Sequence, residues 1–347
     1  MRPIVRSVRA WCWCASPALI LWAVLLSTTA CRRSTLPAAM SDQAFWSLIE
    51  SLSEPAGTFN VSDNFVSNEP LIAENARRLH PAGGVYIGVG PEQNFTYIER
   101  LRPDIAFIID IRLENRNLHL LYKALFELSS DRADFISRLF SRRRPAGLGS
   151  TTSAEEMFRR FDGVPPSDEQ FNANLTLVRD RLRATHGFPL AAADLDWIGR
   201  VARAFYEDGP EIHFWGSRPV TVDSVRPSYR WLMTAQDYRG QNRSFLSSED
   251  AFRFLKELHS RNLIVPLVGD FGGRHTVQQV GDYVRTHGDV VRAFYGSNVG
   301  VYLNSDQTGI FCGNLASLPV AHDTWFIESD RVRSLASKLR ACPPAAK

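Results

Sequence analysis

The stretch "GGVYIGVGPEQNFTYIERLRPDIAFIIDIR", residues 83–112, decides the fold expected for this chain. Apolar residues between its first glycines predict a short buried strand, and "IAFIIDI" predicts a second one. The residues between these two strands have the spacing of a helix, so the order is strand, glycine turn, helix, strand. This order predicts a parallel sheet with right-handed crossovers.

Later segments extend the same pattern. Helical spacing predicts helices over residues 113–128 and over "SSEDAFRFLKELHSRN", where Ser248 is a candidate N-cap. A third, fourth and fifth strand are predicted at "SYRWLMTA", "LIVPLVGDF" and "VVRAFYGSNV". The tail segments "GIFCGNLASLP" and "HDTWFIE" are predicted to form an antiparallel pair, and a final helix is predicted at about 330–341.

The chain has 347 residues, enough for one large domain with an insertion. We expect an α/β domain over 43–347 with a helical insertion at about 129–226, where amphipathic helical patterns separated by Gly and Pro replace the strands. Residues 1–31 have early arginines, an uncharged stretch and Cys31 after small residues, which is the layout of a lipoprotein-type export signal. Residues 32–42 are predicted to be a tether.

Three interpretations of the leader remain open. The protein is exported and anchored to a membrane through a lipidated Cys31, or the apolar run stays uncleaved as an anchor, or translation begins at Met40 and the protein is cytoplasmic. Cys312 and Cys342 lie outside the leader. An exported chain would be able to join them as a disulfide, and the alternative is two buried thiols.

Composition limits the classes of binding partner that are expected for this chain. The net charge is only +3, so binding to nucleic acid is not expected, and membrane contact is expected only through the leader or its lipid. Hydrophobic residues make up 44% and charged residues 22%, which are ordinary values for a globular protein. No zinc-type spacing, nucleophile elbow or P-loop is visible, so the expected partner is a small-molecule ligand and no metal is predicted.

The glycine turn is the first candidate site. Gly88 and Gly90 allow a sharp bend and a close approach of a ligand, and the helix that begins near Glu92 and Gln93 would direct its amides toward that ligand. Asp110 lies 22 residues after Gly88, the spacing at which an acid accepts hydrogen bonds from ribose hydroxyls. The acid at Glu92 argues against a phosphate-bearing ligand such as NAD. The alternative is a turn with a structural role alone.

The chain resembles class I S-adenosylmethionine-dependent methyltransferases, which have several parallel strands followed by a terminal hairpin. More narrowly, it resembles a group of uncharacterised bacterial proteins with a methyltransferase-like fold, named after a Leptospira hypothetical protein. The likeness is carried by "SEPAGTFNVSDNFVSNE", "GGVYIGVGPEQNFTYI", "RPDIAFIIDIRLENRNLHLLYKALFELS", "RNLIVPLVGDFGG" and "AFYGSNVGVYL". It implies a Rossmann-like, mostly parallel sheet with a terminal antiparallel hairpin, and S-adenosylmethionine as cofactor. Tyr86 and Ile87 depart from the family, which usually has an acid there.

The resemblance also implies roles at the strand ends. Asp270 would end the fourth strand, face the transferring methyl group and act as a base; a helix N-cap is the alternative. Gln236 and Asp237 would end the third strand, where adenine contacts fall. Independently of the resemblance, Asp110 and Arg112 lie at the open end of the predicted sheet, where ligands bind; the alternative is an Asp–Arg pair that caps the next helix.

Two further groups have either a structural or a functional role. Asn68 and Glu69 lie in a loop that would be able to fold over the pocket. Tyr295, Ser297 and Asn298 end the predicted fifth strand.

Two functions are compatible with these features. The first is a methyltransferase-like protein that binds S-adenosylmethionine and transfers its methyl group to an unknown acceptor. The alternative is a non-catalytic exported lipoprotein that uses the Rossmann-like pocket to bind a small ligand or partner.

Overall fold

A computed structural model of the protein describes residues 34–59, 64–213 and 226–343. At its centre is a six-stranded sheet with the order β3-β2-β1-β4-β5-β6. The strands are β1 Val85–Gly88, β2 Ile105–Asp110, β3 Ile264–Val268, β4 Val291–Ser297, β5 Val320–Glu328 and β6 Val332–Ser334. Neighbours among β1 to β5 run parallel, and β6 is antiparallel to β5. The predicted Rossmann-like α/β fold class, with a terminal antiparallel pair, is confirmed.

Helices flank the sheet. In chain order they are α1 Asp42–Leu52, α2 Ile72–Arg77, α3 Gln93–Leu101, α4 Leu113–Leu128, α5 Arg132–Leu139, α6 Ala154–Phe161, α7 Asp168–Asp180, α8 Ala192–Asp208, α9 Tyr229–Thr234, α10 Glu249–Ser260, α11 Thr276–Thr286, α12 Ser305–Ser317 and α13 Leu335–Arg340. Helices α5 to α8 fall within the stretch predicted as a helical insertion.

The first three strands are buried at every position, as a sheet covered on both faces requires. Pro266 lies in β3, opposite Ile108 of β2. Because β3 is at the edge of the sheet, the missing N–H of this proline removes no bond to a further strand.

Two helices follow their sequence signals closely. Helix α4 occupies the predicted range 113–128, and helix α10 begins after Ser248, whose hydroxyl accepts a hydrogen bond from the Ala251 N–H at 3.1 Å. This is the N-cap that satisfies an otherwise unpaired amide at a helix start.

The predicted third strand, "SYRWLMTA", is wrong, because this segment forms helix α9. The Ser228 hydroxyl caps the helix by accepting from the Trp231 N–H, and the buried residues Tyr229, Leu232 and Met233 have helical spacing. The third strand of the sheet is therefore "IVPLV", and the segment predicted as the fifth strand is the fourth.

The predicted pairing in the tail is also wrong. Most of "GIFCGNLASLP" belongs to α12, where Asn304 and Gln307 form a capping box. "HDTWFIE" lies in β5, which runs parallel to β4, and the antiparallel partner of β5 is the short strand β6. The final helix begins at Leu335, after that strand.

Cys312 of α12 and Cys342, which follows α13, form a disulfide. The predicted leader, with Cys31, lies outside the described residues. In the described part of the chain, no helix has the length and apolar character needed to cross a membrane.

Candidate functional site

A cavity of about 500 Å³ opens at the carboxyl ends of β1 to β4. Its size is typical of small-molecule sites, which measure roughly 300 to 1,000 Å³. Ligands of open α/β sheets bind at this edge. The lining residues are Thr58, Phe59, Asn64, Ser67, Asn68, Glu69, Val89, Gly90, Pro91, Gln93, Ile109, Asp110, Ile111, Arg112, Arg226, Gly269, Asp270, Phe271, Ser297, Asn298, Val299, Tyr302, Leu303 and Gln307.

Two buried side chains, Asn94 and His119, donate hydrogen bonds to carbonyl oxygens of the turn after β1. The Asn94 amide donates to the carbonyl oxygens of Val89, Gly90 and Pro91 at 2.9, 3.1 and 2.7 Å. His119 Nε2 donates to the Gly90 carbonyl at 2.9 Å, and burial lowers the pKa of His119 to about 4, so this imidazole is neutral. Gly90 has φ +77°, a conformation that glycine adopts without strain.

Gly88 has a different role from the one predicted. It does not line the cavity. A Cβ at this position would lie 2.0 Å from Asn94 Oδ1 and 2.7 Å from the Tyr86 ring and hydroxyl. Gly88 therefore makes room for the hydrogen bond between Tyr86 and Asn94.

Glu92, which is also predicted to contact the cofactor, lies outside the cavity lining. Its carboxylate is fully buried and accepts hydrogen bonds from the Ser67 N–H at 3.1 and 3.2 Å. Burial raises the pKa of Glu92 to about 8. The Ser67 hydroxyl in turn accepts from the Glu69 N–H, so Glu92 fixes the loop that carries Glu69.

Glu69 and Gln93 are buried residues of the cavity wall, 4% and 3% exposed. The Ser297 hydroxyl donates to Glu69 Oε1, and the Gln93 amide nitrogen donates to the Tyr295 hydroxyl. Burial raises the pKa of Glu69, and hydrogen bonds from Ser297 and Tyr295 oppose this only in part. Ser297 has φ +48°, an uncommon conformation for a residue with a side chain and one that often marks functional sites.

Asp110 and Arg112 both line the cavity and form a buried pair. Arg112 donates to Asp110 from its backbone N–H, its Nε and its Nη2, at 3.0, 2.8 and 2.7 Å. The predicted pair therefore exists and lines the candidate site, but no side chain caps the start of α4, and contact with a ligand stays a prediction.

Asp270 lines the cavity at the end of β3. Its carboxylate accepts from the Gly272 N–H at 2.8 Å, and its own N–H donates to Glu54. It is not a helix N-cap, because α11 is preceded by His275. Since β3 is the third strand of the sheet, the predicted place of Asp270 at the end of a fourth strand is wrong.

Gln236 and Asp237 lie away from the cavity. They follow helix α9, and the Asp237 carboxylate accepts from the N–H groups of Arg239 and Gln241 and from Arg243 Nε. The Asp237 side chain therefore stabilises the loop in which it lies. The predicted position of Gln236 and Asp237 at the end of a strand is wrong, because the segment before them is helix α9.

Sequence reasoning missed the aromatic rim of the cavity. Phe59, in the loop between α1 and α2, and Tyr302, in the loop after β4, pack edge to face with ring centroids 4.9 Å apart. Arg226 was missed as well. These positions carry no local signal, because contacts between loops distant in sequence bring them together. Within the described ranges, no group of three or more His, Cys, Asp or Glu side chains is arranged to hold a metal ion.

Most of the residues that line the cavity lie in two stretches of chain that match a known family. Residues 64–184 and 218–340 match the family described as Domain of unknown function (DUF7790). The chain belongs to this family. Glu69 and Asp110 lie in the first matched segment of the DUF7790 domain, and Asp270 and Ser297 lie in the second. No curated protein matches the chain. This match confirms the expectation that the chain belongs to an uncharacterised family.

Proposed function

We propose that the cavity binds S-adenosylmethionine or a ligand of the same chemistry, and that the protein is methyltransferase-like. One observation carries the proposal: the Gly90 turn and Asp110 line a single cavity at the carboxyl ends of two adjacent parallel strands. The strand order and the antiparallel last strand agree with the plan that the sequence resembles.

The polar atoms of the cavity suit such a ligand. Asn64 Oδ1, Glu69 Oε2 and Gln93 Oε1 are buried atoms without a hydrogen-bond partner among the described residues. All three are acceptors, so they match a ligand with amino and hydroxyl groups better than one with phosphates. This agrees with the acid at Glu92, which argues against NAD.

Different residues of the chain would bind different parts of this ligand. Gly90 allows close approach to the backbone, and the lone pairs that Asp110 does not use on Arg112 would accept one ribose hydroxyl. S-adenosylmethionine supplies, when bound, a methyl group on a positively charged sulfur. On the methyltransferase plan, Asp270 at the end of the third strand would lie on the adenine side, and Ser297 and Asn298 at the end of β4 on the methyl side.

A second candidate is a non-catalytic exported protein that binds a small ligand. The Cys312–Cys342 disulfide favours it, because disulfides persist in oxidising compartments outside the cytoplasm. S-adenosylmethionine is made in the cytoplasm, so an exported chain would lack a supply. Mass spectrometry of the mature N-terminus separates the two: a lipidated Cys31 supports the exported binder, and a start near Met40 supports the enzyme.

Ultraviolet crosslinking of methyl-labelled S-adenosylmethionine, followed by peptide mass spectrometry, tests the location of the site. We expect label on peptides that contain residues 89–93, 109–112 or 269–271. Label confined to other peptides, or no label above that of heat-unfolded protein, would contradict the proposal.

A further inference from the structure

Three buried acceptor atoms of the cavity wall have no partner among the described residues, and two of them, Glu69 Oε2 and Gln93 Oε1, belong to side chains that are each bonded to β4. Glu69 lies in the loop between α1 and α2, and Gln93 begins α3. Both side chains contact β4, Glu69 through the Ser297 hydroxyl and Gln93 through the Tyr295 hydroxyl.

The hydrogen bond to Tyr295 fixes which way the Gln93 amide faces. The amide nitrogen of Gln93 donates to the Tyr295 hydroxyl, and the amide oxygen, Gln93 Oε1, is left without a donor. Glu69 has the same arrangement: its Oε1 accepts from the Ser297 hydroxyl, and its Oε2 is left without a donor.

An unsatisfied buried acceptor destabilises the protein, and more so when it is charged. A ligand that only filled space would leave this cost in place, whereas a ligand with donors would remove it. A hydroxyl offers one donor and no charge. A protonated amine offers three donors and a positive charge that compensates a buried carboxylate.

We propose that Glu69 and Gln93 form a subsite for a protonated amino group. The proposal shares with the proposed function the view that this cavity is a ligand site, but it does not require the ligand to contain adenosine. Two sources of the amine fit the same chemistry: the amino-acid end of an S-adenosylmethionine-type ligand, or a separate amine-bearing substrate that enters the same cavity.

Calorimetric titration of the full chain at neutral pH tests the subsite. The probes are S-adenosylmethionine, 5′-methylthioadenosine, which lacks the amino-acid end, and the matched pair 1,4-diaminobutane and 1,4-butanediol. The variant is Glu69→Gln, which keeps the shape and removes the charge. Glu99→Gln is the matched control, because Glu99 is also a buried carboxylate with a pKa raised by burial but lies outside the cavity lining.

We expect at least one ammonium-bearing probe to bind the wild-type chain and to bind Glu69→Gln about tenfold or more weakly. Methylthioadenosine and butanediol should be insensitive to this substitution, and Glu99→Gln should bind every probe as the wild type does. A loss confined to S-adenosylmethionine assigns the amine to its amino-acid end. A loss confined to diaminobutane assigns it to a separate substrate.

Other results separate this inference from the proposed function. If diaminobutane binds in a Glu69-dependent way but no adenosine compound binds, the subsite stands and the proposed function fails. If S-adenosylmethionine binds but no ammonium probe depends on Glu69, the subsite is overturned and the proposed function stands. If no ammonium-bearing probe binds the wild-type chain at millimolar concentration, the subsite is overturned.

Discussion

Asp110 accepts hydrogen bonds on both of its carboxylate oxygens from the guanidinium of Arg112, at 2.8 and 2.7 Å. The two side chains are 6% and 5% exposed and form part of the cavity wall. Their charges compensate each other, so the end of β2 presents an oriented polar surface without a net charge. Glu69 is then the buried carboxylate of the wall for which the described residues give no basic partner.

The Asp110–Arg112 pair should matter for stability as well as for binding. Asp110→Asn leaves the Arg112 guanidinium buried beside an uncharged amide, and we expect the free energy of unfolding to fall by about 3 kcal/mol. Urea unfolding measures this. Asp250→Asn, at the exposed pair with Arg102, is the control and should cost less than about 1 kcal/mol. Equal losses of unfolding free energy in the two variants would show that the buried Asp110–Arg112 pair stabilises the protein no more than an exposed pair does.

Glu92 should make stability depend on pH. Its pKa is about 8 in the folded protein against 4.5 when exposed. Between these values the unfolded chain has lost a proton that the folded chain keeps, so raising the pH from about 4.5 to 8 lowers the free energy of unfolding, on the order of a few kcal/mol. Glu92→Gln removes this contribution. Urea unfolding at three pH values in the interval should give a flatter profile for the variant, and an unchanged slope would argue against a protonated Glu92.

Gly88 and Gly90 should respond differently to alanine. At Gly88 the new methyl group overlaps Asn94 and Tyr86, whereas at Gly90 it meets nothing closer than Gln93 Nε2 at 3.5 Å. Gly90→Ala is penalised only by its positive φ, about 1 to 2 kcal/mol. We expect Gly88→Ala to lower the thermal midpoint more than Gly90→Ala. The reverse order would mean that the turn is not packed as described.

The disulfide should contribute to stability through the loop it closes. With a sequence separation of 30 residues between Cys312 and Cys342, loop entropy gives about 3 to 4 kcal/mol. Unfolding with and without reductant measures this contribution. The Cys312→Ser variant should match the reduced wild type and be insensitive to reductant. Free thiols at both Cys312 and Cys342, mapped by alkylation and peptide mass spectrometry of protein prepared without reductant, would contradict the bond.

Strands β1 to β4 were predictable because each depends on a local run of apolar residues. Strands β1 and β2 and helix α4 lie where the sequence indicates them. Helices α9 and α12 were mistaken for strands, because Tyr, Trp, Ile and Phe favour strands in isolation. The caps at Ser228 and Asn304 were the signals that pointed to helices.

The candidate site was predictable where it depends on strand ends. The carboxyl ends of parallel strands meet at one edge, so Gly90, Gln93, Asp110, Arg112 and Asp270 do line one cavity. Glu92 points elsewhere, since adjacent helix residues face directions roughly 100° apart. The burial of Glu69 was not predictable, because it depends on contacts between loops distant in sequence.

Calorimetric titration of the full chain with S-adenosylmethionine tests the central claim most directly. The account predicts saturable heat with one site per chain, reduced in an Asp110→Ala variant that is still folded by circular dichroism. No heat at millimolar ligand, or identical binding by wild type and variant, would contradict the assignment of this cavity.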